Sequence, residues 1–242
     1  MSADDARLAC LAGLKEMGRA RLSAMLAHHT PEEAMEVVRG ERPASGPIAH
    51  LLVSNQKVRD EWRAGAARRP EAWYSEALER SETRVLRPAD PDYPPQLCPD
   101  PERPELLFVR GDMSCLRQRR VGVVGTRNAT HQGRLAARRI GRELADDGVV
   151  VVSGLALGVD GAAHEGALSS AGGHPVAVVG SGPDVPYPKR HRGLWDLVIE
   201  RGVLISEWPP GTPPDAFRFP KRNRILAALS EALVVVESRK RG

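Results

Sequence analysis

Aromatic residues are scarce: three Phe, three Tyr and four Trp make up 4% of the 242 residues. A sheet that reads RNA by stacking bases on rows of rings needs more, which excludes that kind of platform. Cysteine is scarcer still, and Cys10, Cys98 and Cys115 are odd in number with no C-x-x-C spacing. They specify neither a zinc site nor a disulfide framework, so no metal is expected and a reducing cytoplasm is. Lysine occurs at Lys15, Lys57, Lys189, Lys221 and Lys240, which leaves arginine to carry most of the positive charge. The first ten residues, MSADDARLAC, lack the basic-then-apolar order of a secretion signal. No apolar run approaches the length of a bilayer crossing. A soluble cytoplasmic protein with no membrane association is the expectation.

Hydrophobic residues amount to 41%, enough to bury a core, so general disorder is excluded. The net charge of +4 is a modest basic balance that suits nucleic acid without requiring it. Richness in arginine and alanine is also what a GC-rich genome produces, so charge alone decides nothing.

Two regions follow in order, 1–80 and 81–242. Over 7–80 the pattern is helical, with Leu8, Leu11 and Leu14 at three-residue spacing and Leu22, Met25 and Leu26 after a break at Met17-Gly18-Arg19. Two short helices joined at a glycine resemble a helix-hairpin-helix or SAM-like unit. The Gly18 turn is then either a phosphate contact or an ordinary hairpin, and the ordinary hairpin is the preferred reading. Thr30-Pro31-Glu32-Glu33 reads as an N-cap, a proline at the first helical position and a capping-box acid. Seven prolines between Pro88 and Pro104 rule out a helix there and predict an extended connector with a short strand over 106–109.

From Val121 onward, β-branched runs at 121–124, 149–152, 176–179, 203–205 and 233–236 alternate with helical stretches such as 133–145 and 162–169. Continuous apolar strands separated by helices predict a parallel sheet covered on both faces. The fold class is α/β: a doubly wound, Rossmann-like parallel sheet behind a small all-α domain.

Ligands of such sheets bind outside the carboxyl ends of the strands. Those ends read Gly125-Thr126-Arg127, Ser153-Gly154-Leu155-Ala156, Gly180-Ser181-Gly182 and Ser206-Glu207, the last leading into Phe219-Pro220-Lys221-Arg222-Asn223-Arg224. Small residues followed by helix starts make anion sites, and Arg127, Lys189 and the 221–224 cluster add formal charge on the same edge. A polyphosphate or a nucleic-acid backbone fits. Gly122 and Gly125 have the wrong spacing for G-x-G-x-x-G, and the second strand ends in Ser153-Gly154 instead of a ribose-binding acid. No G-x-x-x-x-G-K-[ST] is present either, so no cofactor is expected. Asp160 reads as a helix N-cap, His164 as a packed histidine, and no catalytic constellation emerges. Tyr187, Phe217 and Phe219 lie beside the basic loops, and Tyr187 and Phe219 are candidates for stacking bases. Arg127 either meets a phosphate or pairs with an acid such as Glu207.

Five motifs occur in order: Val124-Gly125-Thr126-Arg127, Ser153 to Asp160 with His164, Gly180-Ser181-Gly182 to Pro188, Leu204 to Pro209, and Phe219-Pro220-Lys221-Arg222-Asn223-Arg224. Together they resemble the DprA/Smf family over about 85–237, with Asp92-Tyr93-Pro94 as its lead-in. The resemblance implies a non-enzymatic protein that binds single-stranded DNA and loads RecA in natural transformation. It places Gly125, Thr126, Arg127, Ser153, Gly154, Lys189, Lys221, Arg222, Asn223 and Arg224 along the DNA groove. It also implies a homodimer. Relatives continue beyond Lys240-Arg241-Gly242, and 238–242 resembles the start of a further binding loop, so a C-terminal truncation that compromises the dimer surface and RecA contact is expected. Two other readings stand beside it: a phosphoribohydrolase of the related lysine-decarboxylase-like fold, whose PGGxGTxxE motif is not found here, and an interaction module that has lost its function. Four or five phosphate contacts would give a salt slope near about −3.

Overall fold

The structure is a computed structural model that describes residues 2–238; residues 239–242, expected from sequence to begin a further binding loop, lie outside the described residues. Six helices come first: α1 (Ala3–Gly13), α2 (Arg19–Leu26), α3 (Pro31–Arg39), α4 (Gly46–Ser54), α5 (Gln56–Arg68) and α6 (Glu71–Arg80). The α3 start forms as its sequence predicts: Thr30 Oγ1 accepts from the Glu33 amide at 3.3 Å, and the Glu33 carboxylate accepts from the Thr30 amide at 3.0 Å. Gly18 is the exposed N-cap of α2, in an ordinary helical hairpin after α1. Leu8, Leu11, Met25 and Trp62 fill the core of this block.

Among the described residues the sheet has seven strands: β1 (Arg84–Leu86), β2 (Leu107–Gly111), β3 (Arg120–Val124), β4 (Val150–Ser153), β5 (Val176–Val179), β6 (Val203–Ser206) and β7 (Ala232–Val235). Their order is β1-β2-β6-β5-β4-β3-β7. The five strands from β3 to β7 run parallel, and the sheet departs from a purely parallel one at a single side. There the connector strands β1 and β2 add antiparallel, with Phe108 opposite Ser206. Proline-rich sequence predicts extended chain but not what it pairs with.

The helices between the strands are α7 (His131–Asp146), α8 (Val159–Ser169), α9 (Arg192–Arg201) and α10 (Arg218–Leu229). Alternate strand residues face opposite layers. Val150, Val152, Val176, Val178, Val203 and Ile205 pack against Ile225, Leu226 and Leu229 of α10. Their neighbours Val151, Ala177, Val179 and Leu204 pack on the other face against α7, α8 and α9. Both faces are therefore covered, as the doubly wound reading requires. Phe108 of β2 is buried in the helical block's core, whereas Leu107 and Val109 face α10, so one strand ties the two regions together.

Candidate nucleic-acid interface

The carboxyl ends of β3, β4, β5 and β6 converge on one edge, with the start of α10 across them. At its centre Arg127 is exposed, and its guanidinium lies 4.5 Å over the Phe219 ring. Phe219 in turn stacks on Tyr187, centroids 5.5 Å apart at 30°. An arginine and a tyrosine from two loops and a phenylalanine from the first turn of α10 thus form one stack, at a geometry that favours cation–π attraction. Arg127, Tyr187 and Phe219 border both a cleft of about 700 Å³, which Asp215 and Asn223 also line, and a recess of about 40 Å³ beside Gly180 and Ser181. Tyr187 is 41% exposed.

Lys189 and Lys221 are exposed, the former in a short helical turn over Lys189–His191. Among the described residues, no carboxylate pairs with Arg127, Lys189 or Lys221 within 4.0 Å. The acid proposed as an alternative partner of Arg127 is engaged elsewhere: Glu207 accepts from Arg224 Nη2 at 2.6 Å. Arg224 also donates from Nε to the Glu102 carbonyl at 3.1 Å, so its guanidinium fastens α10 to the connector.

Arg222 differs most from its sequence reading, for it is 4% exposed and points inward. Its Nη1 donates to the carbonyls of Gly154, at 2.7 Å, and Val178, while Nη2 lies 3.5 Å from Asp160 Oδ2. Nε donates to Asn223 Oδ1 at 2.9 Å. An arginine one residue from exposed Lys221 turns inward because α10 rotates it toward the sheet, a helical phase that a four-residue polar run does not reveal. Gly154 belongs to this arrangement: a Cβ there would lie 2.0 Å from Arg222 Nη2, so only glycine admits the guanidinium. Ser153 is fully buried, and its Oγ donates to the Val123 carbonyl at 2.6 Å, a cross-strand bond instead of a groove contact.

Asp160 is not the N-cap of α8; Gly158 holds that place, and Asp160 sits within the first turn, buried. Burial pushes its carboxyl up, opposed by Arg222 and by the amides of Ala156 and Gly154. Burial likewise pushes the Arg222 guanidinium down, with Asp160 opposing and Arg127 reinforcing that shift. The start of α7 is occupied in a similar way: the Glu237 carboxylate accepts from the Thr130 amide at 3.0 Å and from Thr130 Oγ1 at 2.9 Å. The α7 start is thus filled by the chain's own Glu237, and the Gly154 and Ala156 amides of the loop before α8 by Asp160. Glu237 was missed because it lies far away in sequence, although an acid directly after the β7 run falls on the same edge.

The remaining predicted residues frame the turn. Gly125 packs under Val159, where a Cβ would lie 2.6 Å from Cγ2, and the Thr126 amide donates to the Glu237 carbonyl at 2.8 Å. Leu155 adopts φ 54, a left-handed conformation costly for a branched residue, and its carbonyl accepts from His191 Nδ1 at 3.0 Å. His164 beneath is fully buried with no hydrogen-bond partner for either ring nitrogen among the described residues. Desolvation, with repulsion from Arg222 and His191, pushes it down to about 3 against the pull of the Ser153 backbone. It is neutral at physiological pH. No group of His, Cys, Asp and Glu suited to a metal ion occurs among the described residues. No helix among them is long and apolar enough to cross a membrane.

Residues 84–242 match the family described as DNA recombination-mediator protein A. Protein Smf of Escherichia coli K12 is 42% identical over 155 residues, which is 63% of this chain and 41% of that protein. The chain spans about half the length of the curated relatives it matches, 41% to 53% for the four aligned first. The X-ray structure of DNA processing protein A from Streptococcus pneumoniae superposes on all of this chain and 80% of its own, with a TM-score of 0.73 and 28% identity. The structure of DNA processing protein A from Helicobacter pylori, described for its single-stranded DNA binding mode, superposes on 67% of this chain and 73% of its own, with a TM-score of 0.60 and 26% identity.

Proposed function

Because this chain belongs to the DNA recombination-mediator protein A family, we propose that it is a recombination mediator that holds single-stranded DNA along the carboxyl edge of its parallel strands. The observation that carries this reading is the Arg127–Phe219–Tyr187 stack, exposed at Arg127 and Tyr187, on the wall of a cleft of about 700 Å³, with the exposed Lys189 and Lys221 each two residues beyond one of its rings. Cations meet phosphates and ring faces meet bases, a combination that tolerates any sequence. In this account Arg127, Lys189 and Lys221 contact the strand, with Asn223 on the cleft wall and Gly125 and Thr126 shaping the turn. Arg222, Ser153 and Gly154 support the edge from below.

The role is binding without catalysis. Of the titratable groups under the edge, His164 is fully buried, and Asp160, which reaches the cleft wall, is engaged by Arg222. In the same reading the protein delivers the strand to RecA in the cytoplasm as a homodimer, with 1–80 and 81–242 acting as its helical and sheet domains; membership of a recombination-mediator family supports the mediator role.

A fluorescently labelled oligonucleotide, titrated in matched salt against its own duplex and against nucleoside monophosphates with a free-base release assay, tests the proposal. Tight single-strand binding, weaker duplex binding and no base release are expected. Base release from a monophosphate would replace the proposal with the phosphoribohydrolase reading, and no binding at all would leave only a protein-interaction role.

A further inference from the structure

Resting on the DNA-binding edge proposed above and extending it, we infer that the strand-binding surface continues onto the helical block, where Arg69 and Trp73 form a second station for single-stranded nucleic acid. The first link lies at the start of α10. Phe217 is 51% exposed, with Arg218 Cζ 5.2 Å and Lys221 Nζ 5.5 Å from its ring centroid. Arg218 also lies 5.8 Å from the Trp208 ring, so its guanidinium joins two aromatic faces. Rings alternate with cations from the Arg127 stack toward Trp208.

The second link is the loop after Trp208. Gly211 adopts φ +74, and its carbonyl accepts from Arg69 Nη1 at 3.2 Å. A Cβ on Gly211 would lie 2.5 Å from Trp73 Cη2, so the indole of α6 rests directly on this loop. Arg69 Cζ lies 4.6 Å over the Trp73 ring. Arg69 is exposed, and among the described residues no carboxylate pairs with it within 4.0 Å. An unpaired guanidinium stacked on a half-exposed indole repeats the chemistry of Arg127 on Phe219.

The loop is also held from the sheet side. Asp184 Oδ1 accepts from the Gly211 amide at 2.7 Å, and the Gly182 amide donates to the Thr212 carbonyl at 2.9 Å. Sheet edge and helical block are therefore bridged by one anchored segment and present their cation–aromatic pairs at a fixed spacing. A flexible single strand can follow such a path, placing phosphates on the guanidinium groups and bases on the rings, with no requirement on base identity. A rigid duplex keeps its bases inside its own stack and gains nothing from the rings.

The test uses the full chain and two labelled thymidine oligonucleotides, one of about five and one of about twenty nucleotides, a range that spans one and several binding stations. Arg69→Gln and Trp73→Leu are expected to bind the short strand as the wild type does and to weaken the long one by about tenfold. If Trp73→Leu melts early, Arg69→Gln alone carries the comparison, because its side chain is on the surface. Photo-crosslinking of a long strand containing 5-iododeoxyuridine to the unaltered protein gives a second readout, with adducts expected at Trp73 as well as at the sheet edge. Undiminished long-strand affinity in both variants, or a crosslink map without Trp73, overturns the extension and means that these ring contacts only pack the surface. Failure of the wild type to bind the short strand overturns the DNA-binding edge itself, a distinct outcome.

Discussion

Arg222 and Asp160 form an ion pair at 3.5 Å with both side chains almost wholly buried, and the pair joins α10 to the first turn of α8. The same guanidinium holds carbonyls at the ends of β4 and in β5, so four elements that carry the edge meet at one side chain. Removing one partner of such a pair leaves a buried charge uncompensated, which costs about 3–5 kcal/mol. Arg222→Ala should therefore lower unfolding stability by that amount in urea denaturation, and Asp160→Asn by less, since an amide still accepts a hydrogen bond. Wild-type stability in Arg222→Ala would contradict the assignment.

Acid should destabilise the protein through His164. A folded-state value near 3 against an ordinary 6.5 means that the unfolded chain takes up the proton first as pH falls. Stability from the neutral ring is fully present above about 6.5 and is lost from there down to about 3, at about 1.4 kcal/mol per pH unit. His164→Leu should flatten the stability profile in this window by that slope. Parallel profiles for the two proteins would mean that the ring is not held neutral.

Salt dependence separates the inward arginines from the outward cations. With Arg222 buried and Arg224 paired, Arg127, Lys189 and Lys221 remain, and at about 0.7 per phosphate the logarithm of affinity for a short strand should fall against log salt with a slope near about −2. The value near −3 expected from sequence counted two or three of Lys221, Arg222 and Arg224 as phosphate contacts beside Arg127 and Lys189. A measured slope near −3 on a short strand would restore Arg222 or Arg224 to the groove.

The sheet was legible because fully buried strands leave a plain mark: four apolar residues at 176–179 became β5 with the same limits, and the capping box at Thr30 became the start of α3. The position of the edge followed from the rule for strand ends, and the order of five motifs pointed to the family. What was not legible was which way side chains turn. Nothing local distinguishes Lys221, which faces solvent, from Arg222, which faces the core. A signal was present in Val159-Asp160-Gly161-Ala162-Ala163: an acid among small apolar residues is placed for burial, and a buried acid demands a cation. The Glu237 cap on Thr130 and the Arg69–Gly211 bridge join residues more than a hundred positions apart, and only folded geometry reveals such contacts.

The central claim is that Arg127 on Phe219 grips the strand, and an anisotropy titration of a labelled single-stranded oligonucleotide with Arg127→Ala tests it most directly. The substitution removes an exposed side chain, so its melting midpoint should stay near that of the wild type. Loss of a charge-assisted phosphate contact should weaken affinity by about tenfold or more. Arg127→Lys should fall between, because a lysine keeps the charge but loses the planar fork that stacks on the ring. If Arg127→Ala binds the strand as tightly as the wild type, or melts sharply earlier while its folded fraction binds normally, Arg127 is a structural residue and the account is wrong at its centre.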